Sequence, residues 1–404
     1  MTSNARQMQA ETFAPSARAQ AQATPAPRHR PRQAAQTARR RAPMDLPFFL
    51  LVLLLLGIGV IMMFSASFAS AFYTGGNPTF LFVRQSGFAI GGVAVMLLAS
   101  FVPSNVYRRF ALPGMLFSIG LLMLVLLIGV EGGGARRWLS LGFTTFQPSE
   151  FAKPAVVLLF AHMICIYKEN MRTFRYGVLP FALVLLPIVV LLMAQPHLSA
   201  SIIILALGAS MMFIGGTRWG WFAAGGAALL GAGVIVVTQF SHAVSRIQVW
   251  QDPYSSPLGA GFQVIQSLYA IGSGGLLGLG LGQSRQKYLY LPEQHNDYIF
   301  AIVAEELGFV GSMLILALFA ILIVRGFWIA LHAKTKFASL IAAGMSSMLA
   351  IQVFLNVGVV TNLLPPTGIS LPFFSYGGTA LMFQLACMGV ILGVSREIPA
   401  KKEG

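Results

Sequence analysis

The sequence predicts an all-α polytopic membrane protein: ten transmembrane helices with a large extracytoplasmic loop between helices 7 and 8. Hydrophobic residues make up 56% of the 404-residue chain and charged ones only 10%, with mean hydropathy +0.74. Apolar runs near the ~20 residues that cross a bilayer recur, at about 46–66, 84–103, 110–130, 149–167, 177–194, 197–215, 220–240, 297–324, 338–361 and 377–396. The basic residues then sort by loop, as cytoplasmic loops attract Lys and Arg. With the N-terminus inside, the inner loops hold Arg108, Arg109, Lys168, Arg172, Arg175, Arg218, Arg325, Lys334 and Lys336, and the C-terminal end adds Arg396, Lys401 and Lys402. The outer loops hold only Arg136, Arg137, Arg246, Arg285 and Lys287. An even number of spans with both termini cytoplasmic satisfies this bias.

Residues 1–44 carry eight Arg and one Glu and almost no large apolar side chains. Such a segment cannot bury a core and is expected to be a disordered basic cytoplasmic tail. It runs straight into the first span, unlike a transit peptide. Anionic lipid or a protein partner suits it better than nucleic acid. Residues 45–396 make the membrane domain, and 397–404 a short cytoplasmic C-terminal tail. Cys165 and Cys387 sit in separate apolar runs. They read as small buried hydrophobes rather than a disulfide or zinc framework. The five Trp residues fall near span ends, as an interfacial belt requires.

The longest connection, 241–296, is placed outside, where long loops carry function. Its run GSGGLLGLGLG (272–282) lacks the Lys-Ser/Thr of a phosphate loop. It reads as a bend that dips into the interface and approaches a ligand closely.

Of the twelve acids, seven lie outside or in the outer part of a span: Glu131, Glu150, Asp252, Glu293, Asp297, Glu305 and Glu306. That asymmetry points to an active surface on the outer side. Asp297 opens the eighth span, where a carboxylate gains from a helix N-terminus. Helical spacing also aligns it with Ala301, Ala304 and Gly308, which would leave room for a ligand. Glu305 and Glu306 lie two turns into the span, where ionised groups are either paired or functional. His295 could orient or bind nearby. Lys153 follows Glu150 by three residues in FQPSEFAK. The two form either a simple helix pair or, with Lys153 facing a cavity, an anion site. Arg136 and Arg137 break the charge bias on the outside, which suits an external phosphate ligand.

Four stretches carry a family resemblance: GARRWLSLG, FQPSEFAK, the block from RIQVWQDP through HNDYIFAIVAEELGF, and NLLPPTGISLPFFSYGGTALM. Over about 45–396 the chain resembles the SEDS family of polytopic glycosyltransferases of bacterial shape, elongation, division and sporulation. The resemblance implies ten helices with a large outer loop between helices 7 and 8. It also implies polymerisation of lipid II into β-1,4 glycan strands on the outer face of the cytoplasmic membrane. The family's H-T-D-F-I-F run is HNDYIF here, so its catalytic Asp falls on Asp297. The family's Q-P-D-L-G-T becomes QPHLSA, which puts His197 at an acidic position and leaves that acid's role without a carrier.

A positioned carboxylate can take the proton of an acceptor GlcNAc 4-hydroxyl as it attacks the donor MurNAc anomeric carbon. Undecaprenyl pyrophosphate then leaves, and cations must meet its charge. Lys153, Arg136, Arg137, Arg285 and Lys287 are the expected cations, and a divalent ion, Mg or Mn, is the one cofactor in view. Glu150, Glu293, His295, Glu305 and Glu306 complete the expected substrate-binding set. Ser375 and Tyr376 join it, with Gly377 and Gly378, either shaping the cavity or forming a tight turn. The implied partners are a class B penicillin-binding protein, which supplies the transpeptidase, and other divisome proteins. The basic tail and GISLPFFSYGG look most like the division branch, which implies enrichment at the septum; the elongation and sporulation branches are its alternatives. The rival functions are a lipid II flippase and a non-catalytic activator of a penicillin-binding protein.

Overall fold

The computed structural model describes residues 43–398, apart from Gly133, Phe143, Phe240, Ala260 and Leu289. The basic tail through residue 42 and the C-terminal residues 399–404 lie outside the described residues.

Among the described residues, the main helices are α1 Leu46–Gly75, α2 Phe80–Phe101, α3 Ala111–Ile128, α4 Pro148–Tyr167, α5 Leu179–Ala194, α6 Leu198–Ile214, α7 Trp219–Gln239, α8 Ile299–Leu331, α9 Lys336–Val360 and α10 Gly378–Ser395. Among the described residues, eight helical stretches are long and apolar enough to cross a membrane; α6, with 17 residues, is a shorter apolar helix. The molecule is a polytopic helical membrane protein. The innermost span is α9, with 72% of its most apolar window buried.

Charge pairs tie the helix ends at one end of the bundle. Asp45 accepts from Phe48 N at 2.9 Å and so caps α1. The same carboxylate takes both forks of Arg325, at 2.8 and 3.1 Å, near the end of α8. Ser395 Oγ at the end of α10 accepts from Asp45 N at 3.1 Å. Glu397, just beyond α10, accepts from the backbone N–H and hydroxyl of Ser104, both at 2.7 Å.

The loop carrying GARRWLS is not irregular. Residues Val130–Gly132 (β1), Ala135–Ser140 (β2) and Thr145–Phe146 (β3) form a small antiparallel sheet, ordered β1-β2-β3. Successive side chains of a strand point to opposite faces. Arg136 and Arg137 therefore diverge.

The eighth span differs from its expected form. Its helix starts at Ile299 and runs to Leu331, and Gly308 breaks it with φ 68° and ψ −170°. A broken helix leaves carbonyls and N–H groups without partners. The glycine-rich run supplies them. Leu279 N and Gly280 N donate to the carbonyls of Glu305 and Glu306, both at 3.0 Å. Phe309 N and Val310 N donate to the carbonyls of Gly275 and Leu276, at 2.9 and 3.0 Å. The close approach foreseen for these glycines is thus to the backbone of α8, not to a ligand: a Cβ on Gly274 or Gly278 would strike the carbonyl of Ala304 or Glu306.

The small-residue stripe is filled in the same way. Ala301, Ala304 and Gly308 are buried, and Gly274 and Gly278 pack on the last two. No ligand space is left along that face of α8. The rest of the 241–296 connection contains helices Ser241–Gln251 and Phe262–Gly274 and a single turn at Pro253–Ser255.

Candidate active site

Asp297 lies two residues ahead of α8, and Tyr298 is the helix-capping position, without a side-chain cap bond. Asp297 therefore does not serve the helix end. Its main chain is clamped: Asn356 Nδ2, from α9, donates to the Asp297 carbonyl at 2.8 Å and to the Ile369 carbonyl at 2.5 Å. The flanking residues are clamped from the SLPFFSYGG segment. Ser375 Oγ donates to the Asn296 carbonyl at 2.7 Å while accepting from Leu371 N. Tyr376 N donates to the His295 carbonyl at 2.8 Å. Gln85 of α2 donates to the Ser375 carbonyl at 3.2 Å. Ser375 and Tyr376 thus shape the site through the backbone.

The carboxylate itself is left open. Among the described residues no donor is hydrogen-bonded to it. Gly368, with φ 66°, lies over it: a Cβ there would be 2.9 Å from Asp297 Oδ2. Burial pushes the Asp297 carboxyl up to about 6, Glu293 pushes the same way, and Arg137 opposes them. Glu293 is exposed and accepts from Asn296 Nδ2. Burial holds the His295 imidazole below its ordinary value, so it is neutral; its Nδ1 finds no partner.

Arg137 is the cation that the fold brings to Asp297. Its guanidinium donates to the carbonyls of Gln195 and Pro196, ahead of α6. Arg246 is close enough to repel it and to act on Tyr298. Arg246 Nη1 donates to the Pro366 carbonyl at 3.0 Å. It was not among the expected site residues. It opens the RIQVWQDP run, but the run does not reveal its place, which depends on a contact 120 residues away in sequence.

His197 stands beside this group. Burial, with Arg137 and Lys153 adding to it, pushes the imidazole down to about 3. It is therefore neutral, paired at 3.2 Å with Gln147 Nε2, and its Nδ1 is unpartnered. Lys153 is 3% exposed and donates to both oxygens of Glu150, at 2.7 and 2.8 Å. The helix pair at i, i+3 is realised.

Other expected substrate residues lie elsewhere. Arg136 points to the opposite face of its strand and pairs with Glu131 at 3.1 Å, both well exposed. Glu305, Glu306 and Lys287 are enclosed, at 0%, 1% and 3% exposure. Glu305 accepts from Ser284 Oγ and from Arg285 N at 2.9 Å. Glu306 accepts from Ser65 Oγ of α1 at 2.7 Å and from Lys287 Nζ at 3.2 Å. Arg285 joins through its backbone while its side chain is exposed. These acids bind the 282–287 segment to α8 and α1 instead of facing a substrate. Buried ions persist where partners neutralise them.

Comparisons with known proteins place the chain in a family. A family model described as cell cycle protein (FtsW, RodA and SpoVE) matches residues 46–399. The chain belongs to that family. It is the SEDS family that the sequence resembles. Stage V sporulation protein E of Bacillus subtilis (strain 168) is 42% identical over 362 residues, covering 89% of this chain and 99% of that one. A probable peptidoglycan glycosyltransferase FtsW of Trichlorobacter lovleyi is 37% identical, with 88% and 94% covered. Among solved structures, a chain from work on the structural coordination of polymerization and crosslinking by a peptidoglycan synthase complex matches with TM-score 0.73. It is 33% identical and covers 87% of this chain and 98% of its own. In this SEDS chain, the residues from Gln147 to Tyr376 that surround Asp297 all fall inside the matched range.

Proposed function

We propose that the chain is a peptidoglycan glycosyltransferase that polymerises lipid II into β-1,4 glycan strands on the outer face of the cytoplasmic membrane, with Asp297 as its general base. The observation that carries this reading is the Asp297 carboxylate: fixed through its backbone, free of donors among the described residues, and held near 6 by burial. A general base works best when its pKa lies near the working pH. The acceptor 4-hydroxyl gives its proton to Asp297 as its oxygen attacks the donor anomeric carbon from the face opposite the pyrophosphate. The bond to undecaprenyl pyrophosphate breaks, and the anomeric centre inverts. Arg137 and Arg246 meet the charge that leaves.

The described residues do not fit a metal held by protein alone: no three His, Cys, Asp or Glu are grouped to ligate one. A divalent cation, Mg or Mn, would come with the substrate pyrophosphate, where it would neutralise the leaving group. The buried ions near the helix cores are paired, Lys153 with Glu150 and Lys287 with Glu306. That favours an enzyme over a lipid II flippase.

The solved neighbour belongs to a peptidoglycan synthase complex that coordinates polymerization with crosslinking, which supports a crosslinking partner; we take that partner to be a class B penicillin-binding protein, working with other divisome proteins at the septum. We assign the chain to the division branch, with both termini cytoplasmic. The test is glycan-strand synthesis from purified lipid II by wild type and Asp297→Ala. Each is assayed with and without the cognate penicillin-binding protein, whose transpeptidase is blocked, and that partner is also assayed alone. Polymer from wild type and none from the variant, with unchanged complex formation, supports the reading. Equal polymer from both moves the flippase or activator reading to the front.

A further inference from the structure

At the end of the bundle away from Asp297 lies an open cavity of about 1140 Å³. Asp297 precedes α8, whereas this cavity is walled by the start of α9, which follows the far end of α8. Its rim carries four cations, Arg108, Lys168, Arg172 and Lys336, against one acid, Glu169. Among the described residues, none of the four is ion-paired with an acid. Four cations against one acid leave an excess of like charge that repels itself, and a bound anion relieves that repulsion. The N-terminus of α9, capped by Thr335, adds its positive dipole end at the same wall. Two guanidinium forks match phosphate oxygens better than point charges do.

We propose that this cavity is a binding site for a phosphate group, distinct from the Asp297 site and independent of the function assigned there. The phosphate is either the headgroup of an anionic lipid, which basic pockets between membrane helices attract, or a soluble phosphate compound. The volume has room for either.

Cys165 lines the cavity and reports on it. Cys387 is 3% exposed and serves as the internal check of the fold. The full chain is reconstituted in phosphatidylcholine vesicles, in vesicles that also contain phosphatidylglycerol, and in phosphatidylcholine with inorganic pyrophosphate. The rate of Cys165 alkylation by N-ethylmaleimide, a neutral reagent, is followed by mass spectrometry. Each cation near a charged surface changes affinity by roughly fivefold. Slowing of Cys165 modification by at least that factor is expected in one of the two anion arms. The Arg172→Gln, Lys336→Gln double variant should lose it while Cys387 stays unreactive. Slowing by phosphatidylglycerol alone identifies a lipid headgroup, and slowing by pyrophosphate alone a soluble phosphate. Equal rates in all three preparations overturn the proposal. So does slowing that persists unchanged in the double variant, which would be an effect of surface potential only.

Discussion

Asn356 Nδ2 lies 2.8 Å from the carbonyl oxygen of Asp297, while the Asp297 carboxylate has no donor among the described residues. One side chain of α9 thus fixes the backbone of the proposed base and leaves its reactive end free. The same amide group holds the Ile369 carbonyl, next to the Gly368 that covers the carboxylate. Asn356→Ala releases both. Misplacing a catalytic group by about 1 Å costs roughly a hundredfold in rate. We expect kcat for glycan synthesis to fall by about that factor, with KM much less changed. Steady-state kinetics on purified lipid II checks this, and an unchanged kcat would remove Asn356 from the account.

The pH profile follows from the surroundings of Asp297. A base must be ionised, so kcat/KM should rise with pH through about 6 and be lost below it. Arg137 lowers the Asp297 pKa and Glu293 raises it. Arg137→Gln should therefore move the acid limb to higher pH, and Glu293→Gln to lower pH. The two shifts must have opposite sign; shifts in the same direction would contradict the electrostatics.

Lys287 and Glu306 form an ion pair 3.2 Å long that is almost wholly enclosed. Removing one partner strands the other charge, at a cost of about 3–5 kcal/mol. Lys287→Ala should lower the thermal unfolding temperature of the purified protein sharply. Adding Glu306→Gln should recover part of the loss. A Lys287→Ala protein of normal stability but no activity would show instead that this lysine acts on substrate.

Gly308 holds a positive φ at the break in α8, and a Cβ there would collide with the backbone of Gly278. Strain at such a position costs roughly 1–3 kcal/mol, before any clash is counted. Gly308→Ala should lower the unfolding temperature more than Gly120→Ala in α3, whose Cβ would meet no atom within 4 Å. Equal unfolding temperatures would argue against the broken helix.

What the sequence makes legible is what depends on neighbours in the chain. Apolar runs give the helices, HNDYIF gives Asp297, and the i, i+3 spacing gives the Glu150–Lys153 pair. What it hides depends on distant contacts. Glu305 and Glu306 look like site acids until Ser284, 21 residues before Glu305, and Ser65, 241 residues before Glu306, bond to them. Asn356 and Gln85 look like ordinary polar residues in spans, yet each reaches a backbone carbonyl 59 or 290 residues away. The choice between Arg136 and Arg137 needed only the alternation of a strand, but the run GARRWLSLG reads as a loop because its glycines mask the strand between them.

The most direct test of Asp297 as base is the Asp297→Asn variant, which keeps the side chain's size but cannot take a proton. Glycan polymer from purified lipid II and lipid II binding would be measured on the same preparation. General-base catalysis contributes about 10²–10⁴-fold. We predict polymerisation reduced by roughly a thousandfold with binding unchanged. Polymerisation at the wild-type rate would contradict the assignment of Asp297 as the base.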